Sequence, residues 1–294
     1  MKKNGLFPIL FLFYTTLFAQ LPNTDIWLLD IKTVKGSINL TNPINITNRV
    51  GYDNQPTFSQ DGKFILYTSV RDEKQSDIYK YDLITKISSQ FTKTATSEYS
   101  PTFMPDKKNI SVVLVEPDSA QRLWKLPVNG GKPSLILKNI DSIGYHCWLD
   151  EKHVALFLIT NPMKLIFTDI TTQKSIVIKD TIGRSMHCIT DKTGLHFFYL
   201  YKKGIYFTDL KNQKTTFQTS WKFNGEDFCF YKDYTIIAGN ESKLFVNYSS
   251  YLGCKDAKNE WTEITDLSTY GITNISRIAV SPDGKKLAIV ATPK

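Results

Sequence analysis

Residues 55–82 read QPTFSQDGKFILYTSVRDEKQSDIYKYD. Pro56-Thr57-Phe58-Ser59 is a short run with β-branched and aromatic members, and Gln60-Asp61-Gly62 follows as a turn whose glycine can take the positive φ of a tight hairpin. In the next strand, 63–69, Phe64, Ile65, Leu66 and Tyr67 stand in succession, so both faces are apolar and both must be covered. A sheet with one wet face is excluded. A polar loop leads to Asp77-Ile78-Tyr79-Lys80-Tyr81-Asp82, which alternates and carries charge, as a strand further from a core does, and 87–92 supplies a fourth strand. Four short antiparallel strands of this kind make one blade, which needs a neighbour on each face.

The unit recurs. The outer-strand pattern is found at 25–30, 77–82, 122–126, 165–169, 205–209 and 243–247, and the apolar second strand at 63–69, 109–115, 153–159, 195–201, 234–238 and 287–291. The two series are out of step: the first outer strand lacks an inner pair, and the inner pair at 276–291 lacks outer strands. Together the halves complete one blade and remove the exposed edges of a linear sheet. The expected fold is all-β, a six-bladed β-propeller of four-stranded antiparallel blades, closed by pairing N-terminal outer strands with C-terminal inner strands.

A ring of small residues supports this reading. Thr57, Thr102, Cys147, Cys188, Cys229 and Ala279 occur at intervals of 41 to 50 residues, each just before the main apolar position of an innermost strand. Large side chains at the crowded axis would clash with the adjacent blade. Cys147, Cys188 and Cys229 are therefore read as small buried hydrophobes. Only Cys254 stands apart, in the long loop 248–260. Equivalent places on neighbouring blades lie beyond the roughly 7 Å limit for bridging, so no structural disulfide is expected.

At 294 residues, 41% hydrophobic and 22% charged, the chain has an ordinary globular composition, and the repeat favours one domain over 20–294. Met1-Lys2-Lys3, the apolar run 6–18 and Ala19-Gln20 have the order of a secretory signal, with cleavage expected after Ala19. The apolar run is short for a bilayer span, and no cysteine follows it to carry a lipid anchor. An exported protein, periplasmic or secreted, monomeric and not integral to the membrane, is expected. The net charge of +8 includes Lys2 and Lys3, which leave with the signal. Lysines are scattered through hairpin ends such as Lys107-Lys108, Lys202-Lys203 and Lys285-Lys286 rather than gathered in a stripe, so nucleic acid is not an expected partner.

The segment Asp53-Asn54-Gln55-Pro56-Thr57-Phe58-Ser59-Gln60-Asp61-Gly62-Lys63, with Asp77-Ile78-Tyr79 after it, resembles the WD40-like β-propeller repeat of the TolB family, and Ser281-Pro282-Asp283-Gly284-Lys285 matches the same turn more closely. The resemblance covers 25–291. It implies a six-bladed propeller in the bacterial envelope and, from the family's namesake, a protein-binding role involving a peptidoglycan-associated lipoprotein. An α/β domain precedes the propeller in that family, and none is expected between Gln20 and Thr24. The resemblance therefore extends to the propeller and its binding face.

That face is formed by the loops entering the innermost strands and those joining second to third strands. The candidate binding residues there are Asp53, Gln55, Glu98, Tyr145, His146, Arg184, His187, Glu226, Asp227 and Arg277. Polar and aromatic groups converging from six blades have the geometry of a binding funnel. His146 and His187, with Glu98 and Glu226, suggest a metal site only through the spacing of the repeat, and no metal or cofactor is expected. Asn129-Gly130-Gly131 is a turn and not a phosphate loop, since no strand-to-helix context follows. No nucleophile motif is present and no catalytic residue is assigned. The leading expectation is a non-enzymatic propeller binding a protein or envelope component at the channel mouth. The alternative is a propeller hydrolase or lactonase using Asp53, Glu98, Glu226 and Asp227, or a metal, at the same mouth.

Overall fold

The computed structural model describes residues 21–72, 75–191, 194–210, 214–248 and 260–294. The expected signal segment 1–19 and Cys254 lie outside them. Blade 1 consists of β3 (Tyr52–Phe58), β4 (Phe64–Val70), β5 (Ser76–Asp82) and β6 (Ser88–Gln90), from the inside outwards. Blade 2 is β7 (Ser97–Phe103), β8 (Asn109–Val115), β9 (Gln121–Pro127) and β10 (Ser134–Leu135). Blade 3 is β11 (Ile143–Trp148), β12 (His153–Leu158), β13 (Lys164–Asp169) and β14 (Lys174–Asp180). Blade 4 is β15 (Ile182–Asp191), β16 (Gly194–Tyr201), β17 (Gly204–Asp209) and β18 (Lys214–Ser220). Blade 5 is β19 (Phe228–Phe230), β20 (Ile236–Asn240), β21 (Lys243–Asn247) and β22 (Trp261–Asp266). Blade 6 is the composite: β23 (Ile272–Val280) and β24 (Lys286–Pro293) pair with β1 (Asp25–Val34) and β2 (Ser37–Asn45).

The closure is antiparallel, with Asp25 opposite Ala291 and Leu29 opposite Leu287. The six-bladed, all-β reading holds, and so does its closing rule. One strand begins later than the sequence pattern placed it. Lys232–Tyr234 forms a 3-10 turn with Tyr234 at φ +59°, so the second strand of blade 5 starts at Ile236.

Each blade interface holds its own core. On β4, Ile65 and Tyr67 pack toward blade 6 while Leu66 packs toward blade 2. On β16, Phe197 and Tyr199 face blade 3, and Phe198 and Leu200 face blade 5. On β24, Leu287, Ile289 and Ala291 face blade 5, and Ala288 and Val290 face blade 1. This is why the second strands read as unbroken apolar runs: successive side chains point to opposite faces, and each face meets another sheet. Each fully buried Leu, Ile or Phe contributes about 1.5–3 kcal/mol over leaving it exposed.

The motif-like turns are scaffold, and they repeat nearly atom for atom. Ser59 Oγ donates to Asp61 Oδ1 at 2.7 Å and accepts the Lys63 N–H at 3.0 Å. Ser281 Oγ likewise donates to Asp283 Oδ1 at 2.7 Å and accepts the Lys285 N–H at 3.2 Å. Gly62 and Gly284 sit at φ +67° and +69°, where a side chain would be strained. Among the described residues, no helix is long and apolar enough to cross a membrane.

Candidate functional site at the channel mouth

The innermost strands β3, β7, β11, β15, β19 and β23 enclose a central cavity of about 490 Å³. All six members of the small-residue ring, from Thr57 to Ala279, line it. They occupy equivalent positions: Cys147 pairs with Ala155, Cys188 with Phe197, Cys229 with Ile237 and Ala279 with Ala288 across the inner hairpins. Cys147, Cys188 and Cys229 are free thiols. Burial pushes the Cys188 thiol up to about 12 and raises the other two as well, so all three stay protonated and neutral.

Above this waist the strands are irregular. Register shifts fall between Asn54 and Thr57, Tyr99 and Thr102, Ile143 and Tyr145, Ile182 and Met186, and Thr273 and Arg277. Gln55 and Ser100, each followed by a proline that cannot donate to the ladder, have φ of +56° and +54°. Such bulges turn a side chain away from the direction that strict alternation would give it. The Gln55 carboxamide oxygen accepts from Thr68 Oγ1 and from the Ser100 N–H, both at 2.8 Å, which ties blade 1 to blade 2 at the cavity wall.

Two arginines are strung across the mouth. Arg277 of blade 6 donates from Nη2 to the Tyr145 hydroxyl of blade 3 at 2.7 Å, and its guanidinium lies 4.6 Å from the centre of the Tyr145 ring. Blades 3 and 6 are opposite in the ring, so this contact spans the channel. Asp227 supports it, 4.0 Å from Arg277 Nη1, while its other oxygen accepts the Ile278 N–H at 2.8 Å. Arg184 of blade 4 reaches past blade 5 to the Ser276 carbonyl at 3.0 Å. Among the described residues Arg184 makes no ion pair, and its Nε is buried without a hydrogen-bond partner.

Both channel histidines are uncharged. Burial lowers His146 to about 3 and also lowers His187. His146 Nε2 lies 2.7 Å from Ser111 Oγ, which also accepts from Trp148 Nε1 at 2.9 Å, and His146 Nδ1 is left buried without a partner. His187 donates from Nε2 to the Phe228 carbonyl at 2.6 Å. Ser185 Oγ sits 3.2 Å from the same nitrogen, but a nitrogen that carries its proton toward a carbonyl cannot also take one from a serine.

Seven of the ten sequence-derived candidates line the cavity: Gln55, Tyr145, His146, Arg184, His187, Asp227 and Arg277. Asp53 and Glu98 do not. Asp53 is fully buried, accepts from Ser69 Oγ at 2.5 Å and pairs with Arg49 at 3.3 Å. Glu98 is fully buried, accepts from Thr92 Oγ1 at 2.9 Å and from Thr94 Oγ1, and its own carbonyl accepts from Ser76 Oγ at 3.0 Å. Both carboxyls fasten strand ends instead of facing the channel. Glu226 is exposed on the rim, where it accepts the Arg184 N–H at 3.4 Å.

Glu226 also borders a second hollow of about 520 Å³, which the sequence reading did not single out. Lys202, Lys203, Trp221, Lys222 and Phe223 line it. Trp221 stands edge-on to Phe223 at 5.1 Å and to Trp261 at 5.6 Å, and Lys222 Nζ lies 5.8 Å from the Phe223 ring centre. The available signal was Trp221-Lys222-Phe223, two large aromatics in a loop entering an innermost strand, opposite the Lys202-Lys203 hairpin. Among the described residues no three His, Cys, Asp or Glu side chains are grouped so as to hold a metal ion.

Six blades, one of them the closing composite, around a cavity barred by arginines define the class: a six-bladed propeller with a polar mouth over a narrow waist of small residues. The fold is that of a TolB-like propeller. No protein-family model matches the sequence, and no curated protein matches it. Among solved structures, a TolB-type protein from Agrobacterium tumefaciens is similar with a TM-score of 0.65 at 14% identity, over 92% of this chain and 98% of that one. TolB from Acinetobacter baumannii is similar with a TM-score of 0.57 at 11% identity, over 92% of this chain and 64% of that one. An oligogalacturonate lyase in complex with manganese is similar with a TM-score of 0.53 at 13% identity, over 90% of this chain and 85% of that one.

Proposed function

We propose that the protein is an exported, non-enzymatic propeller that binds a protein partner of the cell envelope at its channel-mouth face. The observation that carries this is adjacency. Glu226 of the rim hollow accepts the N–H of Arg184 of the central cavity, so the two hollows, one lined by Lys202 and Phe223 and the other by Tyr145 and Arg277, lie side by side. An extended surface with aromatic anchors inside a polar rim suits a macromolecule better than a single small substrate. Lys202, Lys203 and Lys222 around Glu226 favour an acidic partner surface. The likeness to TolB supports a protein partner, with a peptidoglycan-associated lipoprotein as the first to try.

Two observations support the non-enzymatic part. The carboxylates that a hydrolytic propeller would use are dispersed: Asp53 and Glu98 are buried at strand ends, Glu226 is on the rim and Asp227 is engaged with Arg277 and Ile278. The Ser185–His187 contact lacks an accepting nitrogen. Export rests on the basic and apolar character of 1–18.

The test is capture from bacterial envelope extracts by the purified, tagged protein, identified by mass spectrometry. A defined envelope protein should be retained. Lys203→Glu with Lys222→Glu, or Phe223→Ala, should reduce its capture at least about tenfold, the equivalent of ~1.4 kcal/mol. Capture of no specific protein, or capture indifferent to both variants, overturns the reading.

A further inference from the structure

We propose that the central channel beneath the two arginines is a binding site for a small organic monocarboxylate with an apolar body, independent of any partner docked on the rim. The charge inside the cavity sets the valence. Arg184, Arg277 and Asp227 are its charged side chains, because the histidines are neutral and the thiols are protonated. Asp227 stands against Arg277, whereas the Arg184 guanidinium meets the neutral Ser276 carbonyl, the exposed Glu226 carboxylate reaching only the Arg184 backbone N–H from the rim. Among the described residues one guanidinium of the cavity is thus without an ion pair. A monoanion neutralises it; a dianion would leave a charge of its own in poorly solvated surroundings.

Three unpartnered polar atoms point to a ligand at this place. Arg184 Nε, His146 Nδ1 and Ser100 Oγ are buried without hydrogen bonds, and all three residues line the cavity. His146 and Ser100 are only 8% and 9% exposed, so bulk solvent gives their side chains little compensation. A carboxylate matches the planar fork of a guanidinium and has further lone pairs for the Ser100 hydroxyl and for His146 Nδ1 in the tautomer that carries its proton there.

The shape of the cavity sets the rest of the molecule. Beyond the polar mouth come the thiols and then the large apolar side chains Phe103, Trp148, Ile189 and Phe230. From Asp227, just before β19, to Phe230 at its end is three residues, or about 10 Å if the chain is extended throughout. The ligand therefore carries its carboxylate at the mouth and a short aryl or alkyl body toward the far end.

Isothermal titration of the purified protein with 3-phenylpropionate, 3-phenylpropionamide and phenyl phosphate tests this without any macromolecular partner, so failure of envelope capture and failure here are separate results. The acid should bind, with the neutral amide and the dianion each at least about tenfold weaker. Arg184→Gln should abolish the preference for the acid, while Arg184→Lys, which keeps the charge but not the fork, should retain part of it. Unfolding curves of both variants verify that they fold, and the comparison of the three ligands on the unaltered protein stands even if they do not. Equal binding of acid and amide, binding indifferent to Arg184→Gln in a folded variant, or no binding of the acid at millimolar concentration overturns the proposal.

Discussion

The Glu98 carboxyl is raised to about 7, first by burial, with the Thr94 and Thr92 hydroxyls pulling the other way. In the unfolded chain it releases its proton near the ordinary value of 4.5. Between those values the folded state holds more protons than the unfolded one. Stability from this group is therefore complete below the lower value and is lost as pH rises through the upper one. Glu98→Gln, which mimics the protonated form, should flatten that loss and stabilise the protein above pH 7 by on the order of 2 kcal/mol. Denaturant titrations of both proteins from pH 4 to 8 check this, and parallel curves would contradict it. Glu98 and Asp53 looked like mouth carboxylates because the sequence pattern starts the innermost strands after them, whereas both lie within those strands, on β7 and β3. The bulges at Ser100 and Gln55 reverse the facing of the residues beyond them, and a one-residue bulge leaves little trace in a sequence except the proline after it.

At the scale of strands the sequence was far more legible, because period-two alternation has a direct packing meaning. Phe64-Ile65-Leu66-Tyr67 demanded cover on both sides, and the side chains divide between the blade 6 and blade 2 interfaces as that demand requires. The composite blade allows a sharp contrast. Leu29 on β1 has no exposure and packs in the blade 5–blade 6 core, whereas Ile44 on β2 of the same sheet is 52% exposed. Leu29→Ala should destabilise by roughly 2–5 kcal/mol. Ile44→Ala should stay within about 0.5 kcal/mol. Guanidinium unfolding of the two variants measures both, and similar losses would contradict this account of the closing blade. Blade 5 was less legible: Tyr234 has the character of a strand residue, yet it sits at φ +59° in a turn held by the Thr235 N–H bond to the Lys232 carbonyl.

For the molecule as a whole, the ring was readable from repeats, but the site was not, because its defining contacts join residues with no local relation. Arg277 and Tyr145 are 132 positions apart, and Arg184 and Ser276 are 92 apart. Only the closed ring places them together. Closure itself can be tested by permutation. The C-terminal end of β24 lies beside the N-terminal end of β1, Ala291 opposite Asp25, so a short Gly-Ser linker can join Lys294 to Leu21. Opening that chain within 138–141, between blades 2 and 3, leaves the ring shut at the new break by side-chain packing alone. The permutant should fold yet unfold at least about tenfold faster, matching a loss of ~1.4 kcal/mol that falls on the unfolding rate. Stopped-flow unfolding measures this, and an unchanged rate would mean that the shared blade adds no kinetic resistance. The same blade has a consequence in time. Ile26, Leu28 and Leu29 are fully or almost fully buried only once β24 lies alongside them, and β24 is made more than 250 residues later. At about 5–20 residues per second, the ribosome leaves β1 without β24 for on the order of ten seconds or longer. During that interval β2 can pair with one edge of β1 while the apolar edge that will meet β24 stays open, and a holding chaperone has its clearest reason to bind there.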